Sequence, residues 1–377
     1  MTRLMLDQMR RLGSPPSFRG SASAVLLACI GVGIMLLASA ASAAPGKPTQ
    51  YVRKTSGPVL ALAADGNRAA FIVEGRVKEC MSVMVWDPVH RRIARLQSGA
   101  AKCESSDRLN RRGAPAVAIA GSRAVWLQLT GGNNLETIIF TAMLARPKPV
   151  WLAYGAAADG IAGEFVRRPF GDRSLLVFTT ETRCHPDHGN GCPPGRQSGD
   201  ITEATIWRVG GTRRCPSGPV GSPVSCSVAA KADSELSVLA VDGGRIAVRT
   251  ETGLRLITAA GRVLRDIDVK PQAAALSGNR LAVRTASALE VYDTENGDRL
   301  DRLSVPKAVR LEDLEGDILV TAWGGAVTLR RLGDGSTTKI GAVRTGLAQL
   351  ERPGLFVTSA RRVSFLPMRE IVRRLGR

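Results

Sequence analysis

The chain has 377 residues and a formal charge of +19, from 52 Lys and Arg against 33 Asp and Glu. Aromatic residues make up 4% of it, too few for the stacking platforms of single-stranded nucleic-acid binders. The positive excess suits anionic surfaces and polymers, although abundant Ala, Gly and Arg also read as the coding bias of a GC-rich genome, which raises the charge without a selected role.

The first element is a leader. Arg3, Arg10, Arg11 and Arg19 precede the apolar run Ala24–Ala40, and small residues follow in "ASAAPGKP". This order describes a secretory signal peptide over residues 1–43, cut after Ala43 or Ala44. The run is near the lower length for a spanning helix, about 17 residues, so an uncleaved anchor stands as the alternative and is the only route to a membrane. Cys29 in "LLAC" resembles a lipidation site, but the apolar core continues past it to Leu37. The expectation is a secreted or cell-envelope protein. Losing four Arg and one Asp with the leader leaves a charge of about +16. Export also removes nucleic acid as the usual partner of a basic chain.

Residues 44–56, with "TQYVRKT", are expected to add a strand that closes the following domain, 57–367. That domain repeats. "ELSVLAVDGGRIAVRTETGLRLITAAGRVLRDIDV" (Glu235–Val269) and "QAAALSGNRLAVRTASALEVYDTENGDRLDRLSV" (Gln272–Val305) share one plan. Each has a short apolar strand, a tight turn, a second apolar strand, a third strand, a polar turn and a fourth strand. Related units lie at Val59–Leu96, Ala116–Leu152, across Gly163–Cys215, and twice more towards the C-terminus, giving seven copies. The second strands ("IAV", "LAV", "ILV", "LLVF") are continuously apolar, as strands buried on both faces are. One four-stranded unit cannot cover both its faces, whereas units stacked radially cover one another. The predicted fold is all-β, a seven-bladed β-propeller of four-stranded antiparallel blades, with six or eight blades as alternatives. Residues 368–377, "MREIVRRLGR", read as a basic tail, solvated and frayed in preference to a surface-binding helix.

"VMVWDPVHRRIARL" (Trp86-Asp87) and "LEVYDTENGDRL" (Tyr292-Asp293) resemble the third strand and turn of the WD40-like and quinoprotein-like β-propeller superfamily, at the level of architecture. The Gly-His dipeptide of true WD40 repeats is missing, which leaves Asp87 and Asp293 as turn residues.

Marks of known chemistry are few. There is no run of S-x-D-x-G-x-x-W boxes, no G-x-S-x-G elbow, no H-E-x-x-H and no Gly-rich loop opening a helix. "DTENGD" only loosely resembles a calcium loop, and the acidic cluster from Glu290 to Asp317 reads as solvated turns. No cofactor is expected, with calcium and zinc as the weaker alternatives.

Six cysteines follow the leader: Cys80, Cys103, Cys184, Cys192, Cys215 and Cys226. Oxidising compartments join such cysteines. Of the 15 pairings, sequence proximity favours Cys80–Cys103, Cys184–Cys192 and Cys215–Cys226. "TRCHPDHGNGCPPG" places His185 and His188 between two of them. Cys184, His185, His188 and Cys192 could be counted as zinc ligands, but adjacent Cys184 and His185 rarely reach one ion and the thiols oxidise first. The stretch therefore reads as a stapled insertion in the third unit. Its Arg183, His185, Asp187, His188 and Arg196 are the candidate binding residues, on a face expected to carry all three disulfides and the long insertions. The function expected is an exported, monomeric, non-catalytic binding scaffold whose partner is a protein or an anionic polymer or surface. The alternative is a propeller hydrolase or lyase acting on acidic extracellular or wall glycans. Converging carboxylates, Arg and His in a central funnel would favour that alternative.

Overall fold

Tight turns and short apolar runs set the architecture. The computed structural model describes residues 50–75, 81–97, 115–130, 134–158, 161–186, 191–216, 224–342 and 346–376. The leader, Cys80, Cys103, Asp187 and His188 lie outside the described residues.

The chain enters through β1 (Tyr51–Lys54). A first sheet follows, β2 (Val59–Asp65), β3 (Arg68–Glu74), β4 (Met81–Asp87) and β5 (Arg92–Gln97), paired in that order. Next come β6 (Ala116–Ala120), β7 (Arg123–Thr130), β8 (Asn134–Met143) and β9 (Arg146–Ala158). They join β10 (Ala162–Val166), β11 (Phe170–Asp172), β12 (Leu175–Arg183), β13 (Ile201–Arg214) and β14 (Ser225–Ala232) in one nine-stranded sheet. Among the described residues, its two halves pair through Ala162↔Ala158 and Gly163↔Ala157.

Three four-stranded sheets follow in sequence order. They are β15 (Leu236–Asp242), β16 (Arg245–Thr250), β17 (Gly253–Thr258) and β18 (Val263–Ile267); β19 (Ala273–Ser277), β20 (Arg280–Arg284), β21 (Ala288–Asp293) and β22 (Arg299–Ser304); and β23 (Arg310–Glu315), β24 (Ile318–Trp323), β25 (Ala326–Arg331) and β26 (Thr337–Ala342). The last sheet has three late strands, β27 (Ala348–Glu351), β28 (Gly354–Ser359) and β29 (Arg362–Pro367). Its fourth strand is β1, in the register Tyr51↔Phe365 to Lys54↔Arg362. The first strand among the described residues thus completes the last sheet, where the sequence led us to expect it.

Burial follows from position. Second strands are apolar on both faces because both faces are covered: Ala69–Val73 are all buried, as are Ile246–Val248 and Leu281–Arg284. Separate cores fill the spaces between neighbouring sheets. Fourth strands are largely exposed and polar, as in "RLDRLS" of β22. First strands alternate, with Leu236, Val238 and Ala240 buried and the residues between them half-buried. These first strands touch in the circuit β2–β6–β11–β15–β19–β23–β27 and back to β2, which closes the set into a ring.

The C-terminus departs from expectation. Met368–Leu375 is a helix, α1, and not a frayed tail. Ile371 and Leu375 lie one turn apart, are buried, and insert beside β28, β29, β25 and β26. Arg373 and Arg374 close on the buried carboxylate of Glu370.

Candidate functional site: the ring and its two ends

At one end of the ring, each first strand turns into its second through a two-residue turn. The residue just before that turn is repeatedly an oxygen acceptor, and it serves the neighbouring sheet. Asp65 accepts the Gly121 N–H at 2.7 Å, Asp172 the Gly243 N–H at 3.1 Å, and Asp242 the Gly278 N–H at 2.6 Å. Ser277 accepts the Gly316 N–H at 2.9 Å and donates to Glu315 at 3.1 Å. Glu351 accepts the Gly66 N–H at 3.3 Å, across 285 positions of sequence, and so closes the circle. Gly243 sits at φ 55°, the left-handed region that such turns demand, and Arg173 takes the same place at φ 51°. Because these turns meet around the ring, all first strands run in one direction.

Between β23 and β27 the latch is doubled. Glu312 accepts the Ala348 N–H at 3.2 Å and Asp313 the Leu350 N–H at 2.7 Å. Side-chain carboxylates here replace the backbone pairing that two first strands of separate sheets cannot make.

These acids share one space. Burial pushes the Asp313 carboxyl up to about 8, against the Leu350 and Leu314 N–H groups that favour its ionised form. Burial likewise raises Glu351 to about 9, helped by the Asp313, Asp172 and Asp65 charges. Asp172 rises to about 6 for the same first reason, with Asp242 and Asp65 adding to it. Groups from five sheets therefore feel one another across the axis. Arg168 reaches the same interior. It occupies the break between β10 and β11, lies 4.5 Å over the Phe170 ring, and has its guanidinium pulled below its usual range by burial while Glu312 opposes the shift. It keeps solvent-accessible surface although protein surrounds it, as a side chain in a channel does.

The opposite end carries the second-to-third-strand connections and the links between sheets. Cys184 and Cys192 are disulfide-bonded there, in the connection from β12 to β13, with an S–S distance of 2.08 Å. Cys215 and Cys226 are also bonded, at 2.06 Å. The latter bridge spans the β13–β14 connection, a third-to-fourth-strand turn, and so belongs to the acidic end. The expectation that all disulfides mark one face is thus corrected: antiparallel order places consecutive connections at opposite ends.

Two of the expected binding residues make contacts within the protein. Arg183 pairs with buried Glu181 at 3.1 Å and lies 5.3 Å over the Phe165 ring, which Arg167 also covers. Arg196 donates to the Asp233 carbonyl at 3.1 Å and approaches Glu251 at 3.8 Å. His185 is half-buried and engaged. Gln197 donates its N–H to Asp200, which orders the loop. Exposed apolar side chains share this end, Ile161 at 50% and Trp323 at 59%.

Asp87 has a local histidine partner in place of one from another repeat. His90 Nδ1 lies 2.8 Å from it and its N–H donates to the same carboxylate. Asp293 and Asn296 accept the Glu295 and Asp298 N–H groups, as turn residues do. Among the described residues, no group of three or more His, Cys, Asp or Glu is placed to hold a metal ion.

These features define a β-propeller, an all-β ring of four-stranded antiparallel sheets. The solved structures that resemble it are WD40 β-propellers. A chain of the mitotic checkpoint complex is 12% identical, with 91% of this chain and 99% of that chain covered and a TM-score of 0.50. The Cps50 (Swd1) β-propeller domain of Myceliophteria thermophila is 10% identical over 84% of this chain and 99% of that chain, with a TM-score of 0.48. Saccharomyces cerevisiae Sqt1 is 10% identical over 84% of this chain and 97% of that chain, with a TM-score of 0.45. At these identities the likeness is one of fold. No family model and no curated protein sequence matches the chain.

Proposed function

We propose that the chain is an exported, non-catalytic seven-bladed β-propeller, a rigid scaffold that docks a protein partner or an anionic polymer on the end bearing the Cys184–Cys192 loop. The blade count takes the nine-stranded sheet as two blades, which agrees with the circuit of seven first strands. The leader carries the export reading, and an even set of cysteines with two formed bridges supports it.

One observation carries the scaffold reading. The acids that line the axis are engaged by backbone N–H groups of adjacent sheets, so they hold the ring together and are not aimed at a substrate. The docking end instead offers a stapled, hydrogen-bonded loop with exposed Ile161 and Trp323, and ordered insertions on a rigid scaffold are where binding residues concentrate. A similar fold in the mitotic checkpoint complex is a precedent for such a ring inside an assembly. Replacing Arg183–Asp200 by a short Gly-Ser turn should leave the melting curve cooperative and abolish partner capture by the immobilised mature protein; unchanged partners would sink the proposal.

The raised carboxylates of Asp313 and Glu351 with Arg168 favour a second reading, hydrolysis or elimination on an acidic glycan within the channel. Product release from acidic polysaccharides, lost in Asp313→Asn, would establish it.

A further inference from the structure

The sheet of β27, β28, β29 and β1 has two unlike faces. One presents Tyr51, Phe356, Val363 and Phe365 and is packed against the first sheet. The other turns towards the β23–β26 sheet. Near the axis it is filled by the core that includes α1. Farther out the two sheets part and leave a cavity of about 400 Å³, within the range of small-molecule sites, about 300–1,000 Å³.

Its floor is mainly aliphatic, Leu355, Val357 and Leu366 from the last sheet and Ile340 from the facing one, with the hydroxyls of Ser359 and Ser364 among them. Its rim is cationic. Arg362 and Arg374 line it. Arg362 is exposed and pairs in register with Lys54, so two like charges stand directly opposite on adjacent strands, an arrangement that costs stability. Among the described residues no carboxylate pairs with either. Arg374 shares the single carboxylate of Glu370 with Arg373, at 2.8 and 2.7 Å. Those two guanidiniums hold Glu370 down to about 2, so it stays ionised and answers only one of them. The rim therefore keeps an uncompensated positive charge above an apolar trough.

We propose that this cleft binds a free, single-chain fatty carboxylate, with the alkyl tail on the aliphatic floor and the carboxylate against the guanidiniums of Arg362 and Arg374. Charge complementarity selects an anion, the planar guanidinium fork suits a carboxylate, and the floor selects a tail over a compact ion. The carboxylate would relieve the repulsion between Lys54 and Arg362. The proposal does not rest on the docking reading above, although Arg362 follows the β28–β29 turn and so stands at that same end of the ring.

The test is calorimetric titration of the mature protein with octanoate, decanoate and laurate, all below micelle formation. Dodecanol serves as a tail without charge and acetate as a head without tail. Saturable one-site binding is expected, tightening roughly threefold to fourfold for each added methylene. Dodecanol and acetate should bind at least about tenfold more weakly than laurate. Arg362→Glu should weaken laurate at least about tenfold, and because it replaces a like-charge pair with Lys54 by an opposite-charge one, the variant should melt no lower than the parent does. Absence of saturable laurate binding, equal binding of dodecanol, or an unaffected Arg362→Glu variant would overturn the proposal. Capture by phosphatidate-containing vesicles without binding of free laurate would overturn it too, because that outcome assigns the charge to a membrane surface.

Discussion

Glu351→Gln isolates the latch that closes the ring. In the folded chain Glu351 is raised from its ordinary value of 4.5 to about 9, chiefly by burial and next by the Asp313 charge. Between those two values the native carboxyl holds a proton that the unfolded chain releases. Its contribution to stability is complete below pH 4.5 and is lost as pH rises towards 9. Each pH unit inside that window costs up to about 1.4 kcal/mol, so the ceiling between pH 5 and pH 8 is about 4 kcal/mol. Glu351 is only half-buried, and solvent screening of such a group reduces the expected effect to about 1–2 kcal/mol. Glutamine keeps an oxygen for the Gly66 N–H but cannot ionise. Urea unfolding of both proteins at pH 5 and pH 8 should show the variant gaining about 1–2 kcal/mol on the parent at pH 8 relative to pH 5. Asp313, raised to about 8, leaves a remaining slope of the same sign in the variant. An identical stability difference at both pH values, within about 0.3 kcal/mol, would refute the assignment of this charge to the closing seam.

Other consequences follow from packing and covalent geometry. Ile371→Ala should cost about 2–4 kcal/mol, because Ile371 is fully buried between the last two sheets; a change under about 0.5 kcal/mol in the urea midpoint analysis would restore the frayed tail. Cys215→Ser with Cys226→Ser should lower stability by about 2–3 kcal/mol, since the bridge closes 11 positions and both residues are buried; unaltered melting in the double variant contradicts this. Gly261→Ala places a Cβ 1.8 Å from the Ala229 carbonyl oxygen at φ 84°, so it should destabilise by about 2 kcal/mol or more in thermal melts.

Regularities that repeat within a few residues were readable in the sequence. The apolar second strands, the polar fourth strands and the tight turns each state their place in a blade, because burial period and turn chemistry are local. The strand "YVRK" was legible as the missing partner of the last sheet, which otherwise has three strands. The short spacings of Cys184–Cys192 and Cys215–Cys226 also sufficed for pairing.

The latches were not legible. "ADGN", "DGGR" and "SGNR" each look like self-contained turns, yet their acceptor oxygens serve an N–H in the next sheet, 56, 36 and 39 positions away, while Asp172 reaches over 71 positions and Glu351 over 285. Nothing local marks Glu351, in "LERPG", as the acid that closes the circle. The repeated Asp or Ser just before the turn was the available signal, and it required aligning the repeats on their turns instead of their strands. The C-terminal helix was concealed by composition: four arginines, Arg369, Arg373, Arg374 and Arg377, outweighed the one-turn spacing of Ile371 and Leu375. Arg196 read as a candidate ligand because the Asp233 carbonyl becomes its neighbour only when the insertion folds back, whereas Glu181, the partner of Arg183, lies two positions away on the same strand and was there to be read.

The most direct test of the scaffold account compares three forms of the mature protein in one assay of partner capture and acidic-glycan turnover. These are the parent, the form with Arg183–Asp200 replaced by a short turn, and Asp313→Asn. The account predicts that capture is lost only when the loop is replaced and that no form releases product. Product release by the parent that disappears in Asp313→Asn, with capture indifferent to the loop, would contradict it.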